Sequence, residues 1–348
     1  MTASNVDHQN LSAQAYGGVV AEDVMNKIWD VSSVPLPLSD MIGRGSHTNR
    51  RVEWTKDKLG DPATDNAVID GADIDQNDAV LTTRVSNFTQ TSVKSVQISH
   101  LAQAAASFGN AGKMSYQIAQ RQKELRRDVE AQMLSSQASV AGDGTANAGI
   151  SAGLGAWIET NFFSVGTGSP AAGGFNTTTG VVDAPTAGDA AGALTEKVIR
   201  DAVQACYEAG AGDKGMYLMS TPQVIRNLSE YLFTTNARIA TMTNDNASGT
   251  SPMTAYGAAN VFVTDFGVLT LVPNRIQPLD AANTATVYII DPQYIKLSFM
   301  RGYRVEPLAK TGLSEKRLMS VDYSLTVTAE EALAQIKDID TTAAVVAG

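Results

Sequence analysis

Several stretches of this 348-residue chain carry residue types that do chemistry, and their spacing decides what each can do here. Gly149-Ile150-Ser151-Ala152-Gly153 has the Gly-x-Ser-x-Gly spacing of a nucleophile elbow, which needs a strand before it and a helix after it to expose the serine at a sharp turn. Neither flank has that pattern, and the histidine of such a site should follow the serine, whereas His8, His47 and His100 all precede Ser151. Ser151 therefore reads as filler in a flexible small-residue loop. Gly210-Ala211-Gly212-Asp213-Lys214-Gly215 matches Gly-x-Gly-x-x-Gly, but that motif cradles pyrophosphate only where it leaves a strand and opens a helix. Here it closes a helix and precedes Met216-Tyr217-Leu218, so a helix stop and turn is expected.

Asp70, Asp73, Asp75, Asn77 and Asp78 crowd oxygen ligands as a calcium loop does, yet Asp78 stands where the tight turn needs Gly and Arg84 where the bidentate Glu belongs. A solvated loop tip is expected, with a weakly held cation as the alternative. Three scattered histidines and the lone Cys206 give no zinc spacing, so no metal or cofactor is expected. Cys206 falls on the apolar side of a predicted helix and should be a buried, inert thiol. From Arg121 to Arg127 the basic residues are interrupted by Gln122 and Glu124 and followed by Asp128. That pattern suits a solvated helix face or charge pairing between subunits better than a nucleic-acid stripe. No catalytic constellation is complete, and the chain is not expected to be an enzyme.

The elements that must position these residues give a mixed α+β chain without regular βα alternation. In residues 1–47 a short amphipathic segment (Val19, Val20, Val24, Ile28) gives way to Val34-Pro35-Leu36-Pro37-Leu38, an extended arm with little core of its own. Residues 49–56 and 80–98 carry strand signals. Between them, 58–79 is rich in Gly, Pro and Asp, so one long two-stranded hairpin is expected, marginal unless it lies across a neighbour. Residues 114–137 predict an uninterrupted helix about 36 Å long, with Met114, Ile118, Leu125, Val129 and Met133 as its apolar stripe. Its other faces carry Arg121, Lys123, Glu124, Arg126, Arg127, Asp128 and Glu130. Residues 141–192 read as loops around one packed run, 153–163. Two helices follow, one capped by Thr195 and stopped by Gly210, the other opening at Thr221-Pro222. Strands are expected at 261–263, 269–272, 285–290, 295–300 and 319–327.

The net charge of -10 argues against a basic nucleic-acid-binding module. With 43% hydrophobic but only 18% charged residues, part of the surface is expected to be covered by partners. One cysteine excludes an internal disulfide framework and fits a reducing cytoplasm. No secretory leader and no membrane span are predicted.

Four passages carry a resemblance. They are Met41-Ile42-Gly43-Arg44-Gly45, then Gly153-Leu154-Gly155-Ala156-Trp157-Ile158, then Thr264-Asp265-Phe266-Gly267 leading to Val272-Pro273-Asn274-Arg275. The last runs from Asp291-Pro292 through Met300-Arg301-Gly302-Tyr303 to Glu306-Pro307 and Lys316-Arg317. In this order the chain resembles tailed-bacteriophage major capsid proteins with the Hong Kong 97-type shell fold.

The resemblance implies an N-terminal arm (1–47), an extended loop (48–98), a peripheral domain (99–189) with a spine helix (114–137), an axial domain (190–285), and peripheral-domain strands with a C-terminal tail (286–348). It further implies self-assembly into pentamers and hexamers of an icosahedral shell around double-stranded DNA, held without sequence-specific contact. The implied partners are a separate scaffolding protein, a portal and a decoration protein. The implied location is the virion capsid, made and assembled in the bacterial host cytoplasm. The candidate inter-subunit contacts are Arg44, Trp54, Lys56, Lys58, Arg84, Arg126, Arg301, Glu306 and Lys310. A bacterial nanocompartment shell of the same fold is the alternative. Because Ser151 reads as loop filler, Ser151→Ala is expected to leave particle formation unchanged.

Overall fold

The computed structural model describes residues 35–60, 62, 64, 65, 67–71, 82–105, 113–212, 215–234, 261–280, 283–310 and 312–346. The amphipathic segment of the expected arm and the acids Asp73, Asp75 and Asp78 lie outside the described residues. In chain order the elements are α1 (Pro37–Met41), β1 (Gly43–Ser46), β2 (Arg51–Lys56), β3 (Thr83–Phe88), β4 (Gln90–Ser99), α2 (His100–Ala104) and α3 (Met114–Met133). After them come α4 (Leu154–Trp157), β5 (Phe162–Ser164), β6 (Gly174–Asn176), β7 (Val181–Asp183), α5 (Glu196–Glu208), β8 (Met216–Ser220) and α6 (Pro222–Thr234). The remainder is strand: β9 (Val261–Thr264), β10 (Gly267–Pro273), β11 (Ala285–Ile290), β12 (Ile295–Pro307), β13 (Ser314–Val327) and β14 (Ala334–Ile339).

The described residues fall into two compact units. The smaller is built from residues 94–123 and 305–319. Its turn between β12 and β13 is closed by the Leu308 amide donating to the Lys316 carbonyl, and the His100 amide donates to the Leu313 carbonyl. The Gln97 amide group donates to Ser314 Oγ at 2.9 Å.

The larger unit, 34–93 with 124–304 and 320–348, is organised by a six-stranded sheet of order β5-β14-β11-β8-β10-β9. Its strands β11 and β14 are buried along their whole length. The core gathers Ile199, Ala202, Val203 and Cys206 of α5 and Val224 and Leu228 of α6 with Leu218, Phe262, Leu269, Val287 and Ile336 of the sheet. The two expected helices and their inward faces are thus where the periodicity put them. Thr195 Oγ1 accepts from the Val198 amide at 3.3 Å, and α5 stops at Gly210, whose φ of 92° suits a residue without Cβ. Burial pushes the Cys206 thiol pKa up to about 12, which makes it inert at neutral pH.

Several elements depart from expectation for reasons that can be named. The helix expected over 114–137 ends at Met133, because Ser135 Oγ donates to the Gln132 carbonyl at 2.7 Å and competes with the next helical turn. The run 80–98 is not one strand: β3 pairs antiparallel with β2, while β4 joins the sheet of order β1-β12-β13-β4. The hairpin is therefore β2 with β3 alone. Strand β14 had only a short sequence signal, since the alternation of Ala334-Gln335-Ile336-Lys337 breaks at Asp338, yet it is an interior strand between β5 and β11. Its Lys337 Nζ lies 3.2 Å from Asp280 Oδ2, and its Asp338 accepts from Ser164 Oγ and the Gly188 amide. The six-stranded sheet also takes β5, most of β11 and β14 from outside the 190–285 span assigned to an axial domain.

Candidate assembly interface

The motif-bearing segments are where backbone meets backbone at close range. A Cβ at Gly153 would stand 2.2 Å from the Ser135 carbonyl oxygen, and one at Gly155 would stand 2.6 Å from Tyr288 Oη. Only glycine allows α4 to press against the segment after α3. Trp157 of α4 then forms the centre of an aromatic column. Trp54 of β2 lies 5.3 Å from it and Phe175 of β6 lies 6.3 Å away, centroid to centroid. Each such pair contributes about 0.5–1.5 kcal/mol beyond its buried area, so the column anchors the base of the hairpin.

Two buried polar centres hold the larger unit together, and neither was legible as such. Asn87 of β3 satisfies its whole amide: Nδ2 donates to the Leu325 carbonyl (2.7 Å) and Ser151 Oγ (3.2 Å), and Oδ1 accepts from the Phe88 and Ala152 amides. Glu130, expected on a polar face of α3, is fully buried. Its carboxylate accepts from the Leu38 amide (2.8 Å), the Ser39 amide (2.9 Å), Ser39 Oγ (2.5 Å) and Asn274 Nδ2 (3.0 Å). It thus caps α1 from a distance, because Leu36 supplies no side-chain cap. The one hint in the sequence was Asn274 within a quoted motif.

The chemical-looking motifs resolve into structure. Ser151 is 1% exposed, and its Oγ also accepts from the Leu325 amide at 3.1 Å. It is a hydrogen-bond junction and not loop filler, which corrects the expectation above. Ser151→Ala should cost about 1–3 kcal/mol, by leaving a buried amide unpaired. A urea midpoint indistinguishable from wild type would contradict that. At the Gly-x-Gly segment, the Gly212 amide donates to Asp291 Oδ2 at 3.2 Å, so a carboxylate holds the backbone donor a phosphate would need. Among the described residues no group of three His, Cys, Asp or Glu is placed to hold a metal ion.

The structure brings some of the candidate contacts together. Lys56 and Lys58 line a cleft of about 740 Å³ with Trp157, Phe175, Glu159, Glu330 and Glu331. Lys56 Nζ sits 2.6 Å from Glu331 Oε1. Burial opposes the charge of Glu331, but its hydrogen bond to Lys56, a backbone hydrogen bond and the charges of Lys56 and Lys58 together outweigh this and hold the carboxyl below its usual range. Burial, then the charge of Glu330, raises Glu159. Arg126 of α3 lies 5.4 Å over the Tyr303 ring, and Arg44 acts on the same phenol, whose pKa burial raises and the two arginines lower. Arg84 pairs with Glu53 across the hairpin, and Arg301 with the buried Asp322. In the smaller unit Glu306 is half-buried and Lys310 is exposed. Trp54, Lys56, Arg84, Arg126 and Arg301 therefore all have partners within their own chain.

Solved structures show the same fold. The capsid of a native GTA particle is 14% identical, with 94% of this chain and 99% of that chain covered at a TM-score of 0.56. The capsid of Myoviridae phage XM1 is 13% identical, with 93% and 100% covered at a TM-score of 0.56. The holo-SrpI encapsulin complex from Synechococcus elongatus PCC 7942 is 11% identical, with 93% and 94% covered at a TM-score of 0.55. The fold is thus the Hong Kong 97-type α+β fold of capsid shells. Within that class, the model of the SU10 major capsid protein family matches residues 2–340, and the chain belongs to that family. A major capsid protein of Escherichia phage Phieco32 is 31% identical over 113 residues, a match spanning about a third of either chain (32% of each).

Proposed function

We propose that this chain is the major capsid protein of a tailed phage, self-assembling into an icosahedral shell that encloses double-stranded DNA. The observation that carries the proposal is the family match over residues 2–340, on a fold shared with capsid subunits along nearly their whole length. The role is structural: what is buried are anchors such as Glu130 and Asn87, and the one serine in a nucleophile-like motif is sealed inside. Rings form when one surface of a subunit meets a different surface of the next and the rotation closes, giving pentamers and hexamers. Residues 48–98 act as the extended loop across a neighbour, and Arg44, Trp54, Lys56, Lys58, Arg84, Arg126, Arg301, Glu306 and Lys310 are the candidate contacts between subunits. The spine helix, the axial and peripheral division, a separate scaffolding protein, a portal, a decoration protein and assembly in the host cytoplasm belong to the same proposal. The encapsulin likeness supports a nanocompartment shell on fold alone, whereas the family match favours the phage.

Purified protein, with or without scaffold, should form rings or hollow particles visible by electron microscopy. A sharp monomer peak across salt and scaffold conditions would refute the shell assignment.

A further inference from the structure

Charge is distributed very unevenly along this acidic chain. Residues 94–123 and 305–319 of the smaller unit hold seven lysines and arginines against two glutamates. Residues 57–78 hold seven aspartates against one lysine. Each of these regions also exposes large apolar side chains. Leu101 and Leu313 are each 81% exposed, and in the hairpin loop Val68 is 67% and Ile69 83% exposed. Adjacent apolar side chains such as Val68 and Ile69, both exposed on one loop, suit an interaction surface better than singly exposed ones do.

The smaller unit also has a cleft of about 530 Å³, lined by Lys113 and Arg317 beside Met114, Ile118 and Val305. Arg317 is held by Glu315 at 2.6 Å, which fixes the guanidinium in place. The loop presents the complementary pattern, with Asp65 and Asp70 flanking Val68 and Ile69, and both aspartates exposed.

We propose that Asp65, Val68, Ile69 and Asp70 of one copy seat in this Lys113–Arg317 cleft of a second copy, acids against bases and Val68 and Ile69 against the apolar floor. This rests on the capsid reading and names the surface that receives the extended loop. The latch is electrostatic at its rim, so it weakens with salt, where charges more than about 8 Å apart are screened at physiological ionic strength.

The test is a charge swap read by sedimentation and electron microscopy, with unfolding midpoints as the folding control. Asp65→Lys with Asp70→Lys, and separately Lys113→Glu with Arg317→Glu, should each lower the assembled fraction by about tenfold or more, since like charges are set face to face. Midpoints should fall only slightly, because Asp65, Asp70 and Lys113 are exposed and the Arg317–Glu315 pair that Arg317→Glu breaks is itself partly exposed. All four substitutions in one chain should restore assembly. Val68→Ser with Ile69→Ser should impair assembly without any charge change. Wild-type-like assembly by either charge pair, or no recovery in the fourfold variant, would overturn the latch. Normal shells holding less nucleic acid in the Lys113→Glu, Arg317→Glu variant would assign the cleft to DNA instead. Failure of the wild-type chain to assemble would instead refute the capsid reading itself.

Discussion

Leu125→Asp should give insoluble or unfolded subunits, while its neighbour Arg126→Ala should give folded ones. Leu125 is 1% exposed, so the substitution buries a carboxylate with no partner. That costs several kcal/mol against a domain stability of about 5–15 kcal/mol. Arg126 is one residue on and about 100° around α3, exposed and stacked over Tyr303. An exposed cation–π contact is worth about 0.5–1 kcal/mol, so its loss should shift the urea midpoint only slightly. Equal midpoints for the two variants would show that the register of α3 is wrong.

Glu130→Ala should be nearly as damaging, an outcome opposite to what its place in the sequence suggests. Four donors lose their acceptor at once: the Leu38 and Ser39 amides, Ser39 Oγ and Asn274 Nδ2. Leaving a buried donor without its acceptor costs about 1–3 kcal/mol each, so the combined loss should reach several kcal/mol. Glu130→Gln keeps one carbonyl acceptor but turns an amide group toward donors, so it should fall between wild type and Glu130→Ala. The damage should be greatest at α1, which the carboxylate caps, and limited proteolysis should cut near 37–41 before the rest unfolds. A Glu130→Ala midpoint within about 0.5 kcal/mol of wild type, the range of an ordinary surface change, would refute the anchoring role.

The two residues show how unevenly the candidate site was legible. Leu125 was placed correctly because a helix repeats every 3.6 residues, and the stripe through Val129 and Met133 is written locally. Glu130 lies next to that stripe, and its charge alone suggested water. The hairpin was half legible: β2 and β3 pair in register from Arg51↔Phe88 to Lys56↔Thr83. The break at Thr89 was not, because it depends on β4 leaving β2 for the distant strand β13. The quoted glycines were recognised by resemblance, but their reason, the approach of α4 to Ser135 and Tyr288, is a matter of packing.

Composition and periodicity by themselves determined the mixed α+β class, the inward faces of α3, α5 and α6 and the inert Cys206. All of these depend on neighbours a few residues apart, where backbone geometry alone fixes which side chains share a face. Tertiary structure decided which polar residues are interior and what satisfies them. Leu38 meets Glu130 across 92 residues, Asn274 meets Glu130 across 144, and Asn87 meets Leu325 across 238. A buried polar group is tolerable only when paired, and no local pattern names a partner that far along the chain. For the same reason the sequence could read Ser151 as filler and β14 as tail, until folding placed the first between Asn87 and Leu325 and the second between β5 and β11 inside a sheet.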